Sequence, residues 1–281
     1  MEYIGYVLQV ITIAITLSLG LITALQTKKL QHGQNIISIT TSYRLQRSEQ
    51  LRDSVRDVLA NSAPELLDLK GVEQLERLEP LHPEIPVRFR MVKRSETNCL
   101  WGEYCLLLYS EEQEGYLANA GYLLEQLDLW FASRDIGACW YGMGKADEKQ
   151  LDGLSFVIMM AFGRCREDAF RKSVREAKRK PLSAVYTGTP EPAVKQALDA
   201  AHYAPSACNS QPWHVACESG KVTVSQQSGF KNPLLRNLAG YMNRIDMGIF
   251  FCFLELALEH EGVAFQRILL PEGTAEYILC E

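Results

Sequence analysis

The sequence predicts an α+β fold in which one structural unit occurs twice, behind an N-terminal apolar segment. Three observations carry this expectation. Runs rich in β-formers are interleaved with helical patterns in no regular βα repeat. Two strongly apolar helices align with each other without a gap, and the order of elements around each of them matches.

The elements follow in chain order. Residues 4–25 form a run of 22 residues without a charge, which as a helix reaches about 33 Å, enough to cross a bilayer. Glu2 precedes this run and Lys28 and Lys29 follow it, the reverse of a cleaved secretory signal, so the positive-inside rule places the remainder of the chain in the cytoplasm. A membrane anchor is the leading expectation. A buried N-terminal helix and a start that carries foreign residues are the competing ones. A polar linker over 26–38 leads to a globular part beginning near Thr41.

Ser48, Glu49, Leu51, Val55, Val58 and Leu59 predict a capped amphipathic helix that stops at Ala63-Pro64. Residues 86–92 and 104–110 read as strands, 121–134 as an apolar helix, and 155–163, bounded by glycine, as a central strand. A basic helical stretch over 171–180 ends at Pro181. A second helix runs from Glu191 towards Ala204-Pro205, a hairpin over 214–226 turns at Ser219-Gly220, and an apolar helix over 249–258 precedes two short strands at 266–270 and 276–280. Gly121-Tyr122-Leu123-Leu124 aligns on Gly248-Ile249-Phe250-Phe251, and both helices are too apolar for a surface. Ala63-Pro64 parallels Ala204-Pro205 in the same scheme. The expected organisation is therefore an apolar segment and linker over 1–40, a first half over 41–182 and a second over 183–281.

Composition narrows the function. With 29 Lys and Arg against 34 Asp and Glu, a net charge of -5 and no basic run interleaved with aromatics, nucleic acid is not the expected partner. The eight cysteines stand in apolar contexts without zinc-ligand spacing, which predicts reduced core thiols and no metal site. Ser, His and Asp show no triad spacing, so no side-chain catalytic residue is assigned.

The most specific segment is Ala204-Pro205-Ser206-Ala207-Cys208-Asn209-Ser210-Gln211-Pro212-Trp213. A chain that leaves a helix at Ala204-Pro205 and enters a strand through Pro212-Trp213 can aim the Ser206 hydroxyl and the Asn209 amide at a flat polar ligand; it can equally be a connecting loop with an Asx turn. The segment resembles the loop Ala-Pro-Ser-x-x-Asn-x-Gln-Pro-Trp of the nitroreductase family of FMN enzymes, with every fixed position matched. Ile136-Gly137-Ala138-Cys139-Trp140-Tyr141-Gly142-Met143-Gly144 is similar to the family stretch whose amides approach flavin N5, and Asp246-Met247-Gly248 to its Asp-x-Gly. The motif order resembles a subgroup with two half-domains fused in one chain.

The resemblance implies a nitroreductase-like fold built as an intramolecular, monomeric pseudo-dimer, with FMN between the halves and NAD(P)H as reductant. It implies hydride transfer through flavin N5 to a small-molecule acceptor such as a nitro compound or quinone. The cofactor-binding residues it implies are Ser42, Arg44, Gly142, Met143, Arg179, Pro205, Ser206 and Asn209. Where relatives begin Arg-Ser-x-Arg, this chain has Thr41-Ser42-Tyr43-Arg44, so one phosphate-binding guanidinium is replaced. Two alternatives stay open: a membrane-tethered FMN-binding scaffold without turnover, and a flavin dehydrogenase or dehalogenase on the same fold.

Overall fold

The structure, a computed structural model, describes residues 78–164, 177–227 and 233–280, with the side chains of the last stretch described from residue 239. Two five-stranded sheets flank a pair of long helices. In the first sheet β1 (Val87–Lys93), β2 (Tyr104–Ser110), β5 (Leu154–Arg164) and β3 (Ile136–Tyr141) lie in that spatial order, and the short β4 (Gln150–Leu151) pairs with β5. β2 and β5 are buried along most of their length, as their unbroken apolar runs require. The second sheet runs β6 (Tyr186–Gly188), β7 (Trp213–Glu218), β8 (Lys221–Gln226), β10 (Thr274–Cys280) and β9 (Ala264–Leu270). β6 is the parallel addition at one side, and β9 at the other alternates exposed and half-buried residues as an edge strand does.

Between the sheets lie α1 (Tyr116–Ala132) and α3 (Pro233–His260), while α2 (Pro192–Ala201) packs on α3. The contact of α1 with α3 depends on two glycines. A β-carbon on Gly121 would overlap the Ile245 carbonyl oxygen, and one on Gly248 would overlap that of Ala118. Gly121 and Gly248 are 127 residues apart in sequence, as are Ala118 and Ile245. The same interval recurs beyond the helices. Asn119 Oδ1 accepts from the His82 amide at 3.0 Å, and Asp246 Oδ1, 127 residues later, accepts from the Ala207 amide at 2.9 Å. The strand after each long helix, β3 or β9, is an edge strand antiparallel to the next long strand, β5 or β10.

The halves are also tied by buried polar groups. Glu255 of α3 accepts from Tyr122 of α1 at 2.8 Å, from Tyr277 of β10 at 2.9 Å, and from Arg267 of β9 at 2.8 and 2.7 Å. Tyr241 of α3 donates its hydroxyl to the Val157 carbonyl of β5 at 2.7 Å.

The structure departs from the sequence expectations at identifiable places. α3 starts at Pro233 rather than near 249, and α1 at Tyr116 rather than 121, because buried polar residues in the extra turns find tertiary partners: Asn119 takes the His82 amide, and Asn243 and Asp246 face the loop before β7. Residues 178–180 are not the end of a basic helix but an irregular segment drawn along that loop by Gln211 and Asn209. The segment before β1 that occupies the counterpart position is 80–86, through the His82 bond, and not Ala63-Pro64. Ala63-Pro64 and the predicted helix over 48–63 lie outside the described residues, as do the apolar run over 4–25 and residues 171–176. Among the described residues no helix is long and apolar enough to cross a membrane, and the described cysteines are free thiols.

Candidate functional site

The loop from Pro205 to Pro212 is built around three residues with positive φ, Cys208 (52°), Asn209 (55°) and Gln211 (47°). Such a backbone needs local hydrogen bonds to hold it. Ser206 Oγ accepts from the Gln211 amide at 2.9 Å, and the Ser206 side chain is 4% exposed. Asn209 donates its amide to the Lys178 carbonyl at 2.9 Å and accepts at Oδ1 from Arg179 at 3.0 Å and from Gln211 Nε2 at 3.2 Å. Arg179 also donates to the Tyr203 carbonyl at 3.0 Å, and Lys180 Nζ donates to the Ser210 and Gln211 carbonyls, each at 2.8 Å. Partial burial moves the Lys180 ammonium below its ordinary pKa. Trp213, which closes the segment, is 2% exposed and stacks on Phe250 of α3 at 4.7 Å, so it is core.

A turn of α3 supports the loop from beneath. Asp246 accepts from the Ala207 amide, and Ser210 Oγ lies 3.2 Å from Asn243 Oδ1 and 3.3 Å from Asp246 Oδ2. Burial pushes the Asp246 carboxyl up to about 7, against the opposing pull of these two donors. Gly142 meets the same turn, because a β-carbon there would stand 3.0 Å from Met242 Sδ. Met143 is 85% exposed, with its carbonyl accepting from Asn98 Nδ2 at 3.0 Å. The amides that β3 does not give to β5 face outward, since β3 is at the sheet edge.

The structure thus brings Arg179, Pro205, Ser206 and Asn209 together and sets Gly142 against the α3 turn that carries their loop. Ser42 and Arg44 lie outside the described residues. Sequence reasoning separated Arg179 from Asn209, assigning one to a phosphate and the other to a ring. The left-handed turn at Asn209 instead points its amide back at residues 178 and 179. Lys180, Gln211 and Asn243 were missed, and the three consecutive basic residues 178–180 beside the loop were the available signal.

The chemistry of this donor set fits a phosphorylated flavin. Arg179 and Lys180 put positive charge beside the loop, and the open β3 edge offers amides to ring acceptors.

The family model described as "Putative TM nitroreductase" matches residues 48–258. The chain belongs to this family. A crystal structure of a "putative nitroreductase" from Thermotoga maritima superposes with a TM-score of 0.53 at 18% identity, covering 90% of this chain and 98% of that one; the likeness is one of fold. No curated protein matches. Within the nitroreductase family, the loop over 205–212 and the β3 edge are the parts of this chain that carry its characteristic residues.

Proposed function

We propose that the chain is an FMN-dependent oxidoreductase that passes hydride from NAD(P)H to a small organic acceptor such as a nitro compound or quinone. The observation that carries the reading is the complete Ala-Pro-Ser-x-x-Asn-x-Gln-Pro-Trp segment, folded on the turn of α3 that also meets Gly142. We read the chain as a duplicated pseudo-dimer with halves over 41–182 and 183–281, supported by the recurrent 127-residue interval in its helix contacts and hydrogen bonds. The flavin then lies between the halves, one per chain.

When bound, FMN supplies a ring that accepts hydride at N5 and passes it to an acceptor on the same face. The residues of this chain bind and orient. The amides at Gly142 and Met143 address the ring, Pro205, Ser206 and Asn209 shape its opposite border, and Ser42, Arg44 and Arg179 serve the phosphate. The segment before β1, which stands where the loop over 205–212 stands in the other half, holds Pro80, Pro83 and a His82–Glu84 pair at 2.9 Å. It has no counterpart of Ser206 or Asn209, and Glu84 disfavours a dianionic cofactor.

The purified protein is expected to be yellow, bleached by NAD(P)H, and to release about one FMN per chain on denaturation. Asn209→Ala removes the acceptor of an Arg179 bond and loosens the loop, a loss of about 1.5–3 kcal/mol, so the FMN dissociation constant rises tenfold or more. Fluorescence titration reads this directly. A colourless chain that takes up no FMN defeats the reading, and a stoichiometry near two defeats the pseudo-dimer.

The cytoplasmic placement with an anchor at 4–25 is part of the same reading. The full chain is expected to sediment with membranes and resist salt extraction, whereas a chain beginning near Ile39 stays in the supernatant; equal partition of the two removes the anchor.

A further inference from the structure

On α1, one turn apart and facing β3, Glu125 and Asp128 are 1% and 2% exposed. The indole of Trp140 donates to Asp128 Oδ2 at 2.8 Å, while Glu125 Oε2 and Asp128 Oδ1 are buried without a partner. Two adjacent acids with a single neutral donor are an unusual content for a protein core. The other half shows what the position normally holds. Glu255 lies 127 residues after Asp128, and Arg267 lies 127 after Trp140. Both pairs are 12 residues apart and both are hydrogen-bonded from the strand after the helix to the helix acid. Where the second half seats a guanidinium on its acid, the first seats an indole and adds a second acid.

We propose that Glu125 and Asp128 retain a proton between them at neutral pH and, through the Trp140 indole, position the edge strand that runs into Gly142 and Met143. The proposal rests on the flavin site for its functional consequence but not for its chemistry. Without a cation, two buried carboxylates a turn apart cannot both ionise near neutrality, and the proton that remains gives one orphaned oxygen a donor. Burial, followed by the neighbouring Asp128 charge, drives Glu125 well above the carboxylate range, and burial pushes Asp128 up to about 7.

Few other charges reach the pair. On β3 the Cys139 thiol, pushed up to about 11 by burial and by Asp128, stays neutral with it. The buried acids of α3 are engaged elsewhere, Glu255 by Arg267 and two tyrosines, and Asp246 by the loop over 205–212. Arg134, at the end of α1, lies over the Trp130 ring at 4.8 Å. Asp128 is therefore the group that ionises first, and its ionisation turns the Trp140 bond from neutral to charge-assisted. Trp140 precedes Gly142 by two residues on the same edge, so the grip on its ring sets the path of the amides at 142 and 143.

The test follows the Trp140 indole proton by NMR in the full chain, assigned by its disappearance in Trp140→Phe. It is expected to move downfield as pH rises, with a midpoint near 7. Asp128→Asn, which resembles the protonated acid, keeps the resonance but removes the titration, and Glu125→Gln leaves it in place. FMN titration supplies the second arm. From pH 6 to 8 the wild-type dissociation constant falls about fivefold more than that of Asp128→Asn, the ratio expected when a neutral bond becomes charge-assisted. The comparison cancels ionisation of the FMN phosphate. An indole proton that is flat with pH, or that titrates unchanged in Asp128→Asn, overturns the shared proton. Parallel FMN curves for the two proteins overturn the positioning role. A wild-type chain that binds no FMN defeats the functional reading instead, and the indole titration still decides the pair.

Discussion

Gly248→Ala is expected to leave most of the protein in the insoluble fraction, and what folds to melt at least about 6 °C lower. The added carbon would overlap the Ala118 carbonyl oxygen and stand 2.7 Å from its carbon and 2.8 Å from the Tyr122 nitrogen. All three are backbone atoms of α1, so no side chain can turn aside. Relief requires the helices to separate, which opens the contact between the two sheets' helices along its length. Overpacking of this kind costs about 3 kcal/mol or more, a large share of the roughly 5–15 kcal/mol that holds a domain. Gly121→Ala meets the Ile245 carbonyl in the same way. Gly240, also in α3, has nothing within 4 Å of its missing carbon; Gly240→Ala is expected to raise stability by about 0.5–1 kcal/mol through helix propensity. Similar melting temperatures for the 248 and 240 variants would show that the helices do not cross at Gly248.

Arg267→Met is expected to cost about 3–5 kcal/mol, because it leaves the Glu255 charge buried with only two tyrosine donors. Arg267 gives that carboxylate both of its charge-assisted contacts, at 2.8 and 2.7 Å. The carboxylate in turn raises the Arg267 pKa against the effect of burial, and Tyr277 titrates well above an ordinary phenol, through burial and the Glu255 charge. Because the cost comes from an uncompensated charge, the double variant Glu255→Met with Arg267→Met is expected to recover most of the loss. Urea denaturation of the two singles and the double measures the coupling. A single variant that loses under about 1 kcal/mol, or a double that is the sum of its parts, removes this network from the core.

How much of this was legible in the sequence varies with the range of the interaction. The strand at 104–110 and the hairpin across Ser219-Gly220 were read correctly because short apolar runs and turn residues act within a few positions. The upstream turns of α3 were not legible, since Asn243 and Asp246 break an apolar pattern and are acceptable in a buried helix only because a loop some 35 residues away bonds to them. The same holds for Arg179, whose place depends on the left-handed turn at Asn209. The equivalence of Asp128–Trp140 with Glu255–Arg267 lay in the ungapped alignment once it is carried past the helices, but nothing in residue type alone pairs an indole with a guanidinium.

What the sequence by itself determined is the fold class, the two apolar helices, most strands and the loop that marks the family, because these depend on periodicity, propensity and a contiguous motif. Only the tertiary structure decided that Gly121 and Gly248 are the closest points of a helix pair, that Arg179 clamps Asn209, and that one half carries two acids where the other carries an acid and an arginine. Each of these is a contact between residues distant in sequence, whose energy comes from burial and hydrogen-bond geometry that no local pattern encodes.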